Sequence, residues 1–237
     1  MKSLALILLP IVVFMLTRFN QKISVEEQVK KSAEISTPSL ANGTVTDIDG
    51  NVYKTVVIGK QTWMAENLKT FSYRDGSFDL APIQDRFAFL EVTSGAFTIY
   101  NGNGEMDAKY GKLYNWYAVN DSHGLCPEGW HIPSVAEWEI LFNQLGGKTI
   151  AGAAMKSVKK FANDTVAKNS SGFSALPGGR NIKHSYFSDE GLFGYFWTST
   201  QVDEENANYV SLIYWSKDVR VEKSLKSTGY SCRCIKD

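Results

Sequence analysis

From Thr44 onward, β-branched and aromatic positions alternate with polar ones in short runs. Thr44–Ile48 and Val52–Ile58 flank Asp49-Gly50, a pair that favours positive φ and a tight hairpin. A second break at Gly59-Lys60 precedes Gln61–Met64, so the pattern predicts a three-strand meander. At 135–145 the period becomes helical, with Trp138, Leu141, Phe142 and Leu145 on one face. Pro133 leads into Ser134-Val135-Ala136-Glu137, which has the spacing of a capping box, and Gly146-Gly147 permits the left-handed stop. Thr149–Val158 predicts a second, shorter helix despite Gly152. Beyond Lys168 the chain is glycine-rich and aromatic, with strand-like runs at Tyr195–Ser199, Tyr209–Trp215 and Tyr230–Ile235. The sum is an α+β domain over 43–237 with small sheets, two short helices and long loops. No repeat of about 20–50 residues recurs, which excludes a solenoid.

Ahead of this domain the pattern is different. Leu4 to Leu16 is an uninterrupted apolar run of 13 behind Lys2. A span needs about 20 apolar residues, so 1–19 reads as a signal peptide or an N-terminal membrane anchor. Arg18, Phe19 and Asn20 follow with no small-x-small cleavage site, and no Cys is near for lipid attachment. Residues 20–42 read as a polar spacer. Ser24 and Glu27 have capping-box spacing for a brief helix to about Ile35, and Pro38 ends it. The chain is therefore expected to be secreted or on the cell surface. Its membrane contact is expected only through the N-terminal segment, if that is retained.

Composition sharpens the division. The 237 residues carry 25 Lys+Arg against 25 Asp+Glu. Five of those basic and three of those acidic groups lie in residues 1–42, leaving 20 against 22 for the domain. A mildly acidic domain lacks the clustered positive field of a nucleic-acid binder. All 19 Gly, 6 Trp, 11 Tyr and 3 Cys also fall in 43–237.

Several blocks of the domain carry a resemblance. They are Asp49-Gly50-Asn51-Val52-Tyr53 through Ile58-Gly59-Lys60-Gln61-Thr62-Trp63-Met64-Ala65-Glu66-Asn67-Leu68, and Tyr110-Gly111-Lys112-Leu113-Tyr114-Asn115-Trp116-Tyr117-Ala118-Val119. Cys126-Pro127-Glu128-Gly129-Trp130-His131-Ile132-Pro133-Ser134 with Glu137-Trp138 follows, then Ser171 to Arg180, Phe196-Trp197-Thr198-Ser199-Thr200 and Arg233-Cys234-Ile235-Lys236-Asp237. In order and spacing these resemble the Fibrobacter succinogenes major paralogous domain family of exported bacterial proteins. That family is similar in turn to the formylglycine-generating-enzyme and C-type-lectin type of fold. The resemblance implies a compact α+β domain with small twisted antiparallel sheets, long loops, and structural roles for Trp116, Trp130, Pro133, Glu137, Trp138, Gly178, Gly179 and Arg180. It also implies a disulfide between Cys126 and Cys234, which closes a long loop and contributes about 4–5 kcal/mol in the chain-entropy view. Cys232 departs from the family pattern. It could compete for Cys126, pair with another chain, or stay a buried thiol.

Catalytic and metal readings find little support in the spacing. Cys126 with His131 lacks a third group to orient the base. His123, Cys126 and His131 sit among the turn formers Gly124, Pro127 and Gly129, so no metal or cofactor is expected. Asp47 to Asn51 lacks the later ligands of a calcium loop, and the Glu-Pro-Asn and Trp-Asn-Asp signatures of calcium-dependent lectins are absent. Asn101-Gly102-Asn103-Gly104 lacks the Lys-Ser/Thr ending of a phosphate loop and predicts turns. Gly178-Gly179-Arg180 predicts a tight turn, with Arg180 anchored by an internal carboxylate such as Glu137.

Binding is the better expectation. The loop Lys183–Phe193 holds His184, Tyr186, Phe187, Asp189 and Glu190, and the loop Gln201–Asn208 holds Asp203, Glu204, Glu205, Asn206 and Asn208. Aromatic faces beside amides and carboxylates suit glycans or the surfaces of other proteins. The domain is thus expected to be a noncatalytic binding module. A formylglycine-generating-enzyme-like oxidoreductase and a self-associating structural protein are the alternatives.

Overall fold

The Asp49-Gly50 turn closes the first hairpin as its sequence predicts. Asp47 Oδ1 accepts from the backbone N–H of Asp49 and Asn51 at 3.0 and 2.9 Å. Gly50 has φ +85°, which only glycine adopts freely. The computed structural model describes residues 43–77, 80–183 and 186–237. The leader, the spacer with its short helix, and His184 lie outside the described residues.

The strands are β1 (Thr44–Thr46), β2 (Val52–Ile58), β3 (Gln61–Met64), β4 (Ala81–Pro82), β5 (Ala96–Thr98), β6 (Leu113–Tyr114), β7 (Trp130–His131), β8 (Gly178–Ile182), β9 (Tyr186–Glu190), β10 (Phe193–Gln201), β11 (Asn206–Ile213), β12 (Val219–Leu225) and β13 (Ile235–Lys236). The helices are α1 (Arg86–Glu91), α2 (Gly104–Tyr110), α3 (Trp116–Val119), α4 (Val135–Gln144) and α5 (Lys148–Met155), with a single 3-10 turn at Tyr100–Gly102. The domain is a mixed α+β structure of several small sheets and short helices.

Four sheets carry the strands. One has the order β1-β2-β3-β13-β7, a second β10-β11-β12, a third β4-β5-β6, and β8-β9 stands as a hairpin. The pairing is antiparallel except between β4 and β5. The expected meander is therefore present, extended by β13 beyond β3.

Helix α4 realises its signals. Ser134 and Glu137 form a reciprocal capping box, and Trp138, Leu141 and Phe142 are buried. Trp138 packs against Trp63, Phe142, Phe173 and Phe196 with centroids 4.8–5.9 Å apart. This is one core, and a second gathers Tyr53, Met64, Tyr114, Trp116, Trp197, Tyr230 and the three cysteines. Trp130 and Trp116 are buried, the Trp116 indole N–H donates to the Thr198 carbonyl at 2.9 Å, and the Pro133 carbonyl accepts from Ser199. Most aromatics flagged in the sequence thus serve the fold.

Two sequence expectations are corrected, and the expected disulfide is present. Two helices were expected, but five α-helices are described; α1 and α2 are only six and seven residues long, too short to leave a periodic signature. Tyr230–Ile235 is strand only at its last residue, with isolated bridges at Tyr230 and Ser231, because this segment crosses between sheets. Cys126 and Cys234 are bonded with Cα atoms 6.0 Å apart, and Cys232 is a free, buried thiol.

Beside that disulfide, Arg233 is fully buried between the rings of Phe173 and Phe196, at 4.2 and 5.4 Å. Its guanidinium donates to the Phe173 carbonyl and to Asn67 Oδ1. Burial pushes its pKa down to about 9.

Candidate functional site

Glycine decides where the aromatic loop goes. Gly178-Gly179-Arg180 opens β8 rather than a turn, and Gly178 pairs with Glu190 while Arg180 pairs with Ser188. Gly179 has φ +66°, and an added Cβ would meet the Ser188 carbonyl and the Glu190 N–H. That absence of a side chain lets β9 lie close, so the expected loop Lys183–Phe193 is largely a strand. Tyr186 and Asp189 adopt φ of 54° and 67° on β9. Positive φ is unusual for non-glycine residues and marks backbone held by its surroundings.

Two aromatic pairs result. Tyr186 meets Phe87 of α1 edge to face at 4.8 Å, and Phe187 meets Tyr100 at 5.2 Å. The Arg86 guanidinium lies 4.4 Å from the Tyr186 ring centroid and 5.1 Å from that of Phe87. Helix α1 brings Arg86 and Phe87 here because Asp85 caps it, accepting from the N–H groups of Phe87 and Ala88 at 2.9 and 2.8 Å. Phe87 is 53% exposed, which leaves an aromatic face in water. Sequence reasoning missed Arg86, Phe87 and Tyr100; the Asp85 cap was the signal available for α1.

The carboxylates of β9 turn inward. Asp189 Oδ2 lies 2.8 Å from Arg180 Nε and accepts the Tyr195 hydroxyl at 2.8 Å. Arg180 is thus anchored by Asp189 and not by Glu137, which is held by Ser134 and by His131 Nε2 at 2.8 Å. Glu190 Oε1 accepts the Tyr110 hydroxyl at 2.5 Å, with Lys109 Nζ at 3.5 Å. Burial and the adjoining Glu190 carboxylate push the Tyr110 pKa up, and burial with the Asp189 carboxylate does the same for Tyr195. These phenols remain neutral donors.

Asp203, Glu204 and Asn206 are elsewhere. They form the turn after β10, whereas Asp189 contacts the start of that strand at Tyr195. Six residue steps of strand from Tyr195 to Gln201 separate the two by roughly 20 Å. Asp203 Oδ1 accepts from the N–H groups of Glu205 and Asn206 and from Asn206 Nδ2, and the Glu204 carbonyl accepts from Lys226. Those side chains shape their own turn. Tyr186, Phe187, Asp189 and Glu190 therefore lie together on β9, and Asp203, Glu204 and Asn206 lie elsewhere.

The cysteine and histidine candidates are also separated from one another chemically. Cys126 is consumed in the disulfide, His123 bonds Asp121 at 2.6 Å, and His131 lies between Glu137 and Asp237. Among the described residues no three His, Cys, Asp or Glu side chains converge as a metal site. No helix among them is long and apolar enough to cross a membrane.

Residues 56–236 match the Fibrobacter succinogenes major domain, and the chain belongs to that family. No curated protein and no solved structure matches it.

Proposed function

We propose that this member of the Fibrobacter succinogenes major domain family is an exported, noncatalytic binding module that takes glycans on the face formed by α1 and β9. The observation that carries this reading is the exposed Phe87 ring, set edge to face on Tyr186 beneath the Arg86 guanidinium. An aromatic face offers the apolar side of a sugar a flat, low-entropy contact, and a nearby guanidinium donates to its hydroxyls or carboxylates. Asp189 and Glu190 stay engaged with Arg180 and Tyr110, so they hold the platform in place. The leader at 1–19 supports a secreted or cell-surface location, and the order of small sheets and capped short helix supports a C-type-lectin or formylglycine-generating-enzyme kind of fold.

A glycan array probed with the intact chain, followed by cell-wall fractions, tests the reading. A retained glycan whose binding falls at least about tenfold in Phe87→Ala, at unchanged melting temperature, supports it; tenfold corresponds to about 1.4 kcal/mol. Absence of any retained glycan, or equal binding by Phe87→Ala, overturns it. A self-associating chain would instead give a concentration-dependent mass in light scattering.

A further inference from the structure

Outside the binding face, one pair of reactive groups is withdrawn completely from water. Lys156 follows α5 and Asp164 lies eight residues later, and both side chains are 0% exposed. Phe161, itself buried, pins the segment between them, with the Lys156 ammonium nitrogen 5.4 Å from its ring centroid. Positive φ at Lys159 and Asn163 folds the intervening chain back on itself. The two groups are thereby held in contact, with Lys156 Nζ 2.6 Å from Asp164 Oδ2.

The contact is a buried ion pair in which each partner is also held by backbone groups. Asp164 Oδ2 is buried, and Lys156 Nζ is the charged group beside it. Nζ also donates to the carbonyls of Ile213, Tyr214 and Ser216 at 2.8, 3.2 and 2.9 Å. The other carboxylate oxygen, Oδ1, accepts the backbone N–H groups of Val166 and Ala167 at 2.7 and 2.9 Å. This is the i+2, i+3 turn arrangement also made by Asp85 and Asp203, and here it fixes Oδ1 so that Oδ2 faces Lys156.

We propose that Lys156 and Asp164 condense to an intramolecular isopeptide bond between Nζ and Cγ. The atoms balance without an oxidant or a cofactor. A proton passes from the Lys156 ammonium to Asp164 Oδ2, leaving a neutral amine and a carboxylic acid. The amine lone pair attacks Cγ, and negative charge develops on Oδ1 against the Val166 and Ala167 N–H groups. A second proton moves from nitrogen to Oδ2, the Cγ–Oδ2 bond breaks, and one water leaves. The amide keeps its carbonyl oxygen on the same two donors and its single N–H toward a carbonyl such as that of Ile213.

Burial favours the first step. A low-dielectric site penalises the charged ammonium, and burial shifts the Lys156 pKa downward even though Asp164 and Asp218 oppose the shift. Fixing amine and carboxyl in contact also removes the entropy that a bimolecular amide synthesis must overcome; such orientation gives effective molarities of about 10⁵–10⁸ M.

Peptide mapping of the soluble full chain, unfolded and with its disulfide reduced, tests the bond. The expected result is a branched tryptic peptide joining residues 156 and 164, lighter by one water than its two linear parts, with no cleavage after Lys156. Lys156→Arg and Asp164→Ala should each give linear peptides, with cleavage after residue 156. Because the readout is taken on wild-type chain after unfolding, it does not depend on either variant folding. Linear wild-type peptides with unmodified Lys156 and Asp164 overturn the proposal. So does a water loss confined to Asp49 or Asp75, each followed by glycine and open to cyclisation on its own.

Discussion

Arg180 Nε lies 2.8 Å from Asp189 Oδ2, and this contact ties the two strands of the β8–β9 hairpin below its aromatic tip. The Arg180 guanidinium also lies 4.9 Å from the Tyr195 ring centroid, so the hairpin is fastened to β10 by the same side chain. Arg180→Ala leaves Asp189 with the Tyr195 hydroxyl as its remaining donor partner outside its own strand. The pair is about one quarter exposed, which places the loss below that of a fully buried pair, at about 1–2 kcal/mol. A fall in melting temperature of about 2–6 °C is expected by calorimetry. An unchanged melting temperature would count against the anchor.

Gly179 is held to glycine by its φ of +66° and by the backbone of β9 beside it. Gly179→Ala is expected to destabilise by about 1–3 kcal/mol, since both the positive φ and the crowding oppose a Cβ. Denaturant melts should show a lower midpoint with an unchanged slope. Binding by the α1–β9 face should weaken as well, because Tyr186 and Phe187 ride on the displaced strand.

The disulfide joins residues 108 apart. Its removal by Cys126→Ala with Cys234→Ala should cost about 4–5 kcal/mol in the chain-entropy view. Cys232 is 0% exposed, and burial pushes its thiol pKa well up. A thiol reagent should therefore leave it unlabelled in the folded oxidised protein and label it stoichiometrically after unfolding. Rapid labelling of the native state would refute its enclosure.

His131 sits between two carboxylates, with Nδ1 2.6 Å from Asp237 Oδ1 and Nε2 2.8 Å from Glu137 Oε1. Partial burial lowers its pKa, but the hydrogen bonds to Asp237 and Glu137 outweigh that and leave it raised. A raised folded value makes the stabilisation complete below the unfolded value of about 6.5 and lost as pH climbs through the folded one. Glu137, held below its ordinary value despite burial by Ser134 and His131, sets the opposite limit and loses its contribution in acid. The melting-temperature gap between wild type and His131→Asn should narrow from about pH 6 to pH 8. A widening gap would refute the assignment.

Legibility followed the range of the interactions. Helix α4 was readable because Ser134, Glu137 and the Trp138 face are local, and the first hairpin because Asp49-Gly50 fixes its own turn. The β8–β9 hairpin was not. Its two glycines resemble a turn in one dimension, and only contact with the Ser188 backbone makes them a strand. Arg180 found its carboxylate within the same hairpin, a choice set by register and not by the spacing to Glu137. Tyr186, Phe187, Asp189 and Glu190 share strand β9, as their proximity in sequence requires. Phe87 and Arg86 arrive from about 100 residues away on a helix too short for periodicity to reveal. Asp203, Glu204 and Asn206 were grouped with them on composition alone, and the length of β10 keeps them apart.

Strand β13 lies between β3 and β7 in the five-stranded sheet, yet it is synthesised after every other strand of the domain. Until Ile235 takes its place opposite Trp63 and His131, both neighbours present bare edges. A nascent chain therefore cannot complete this sheet early, however much of it has emerged. Unpaired edges invite association with other chains. The sheet therefore stays open until two late residues close it.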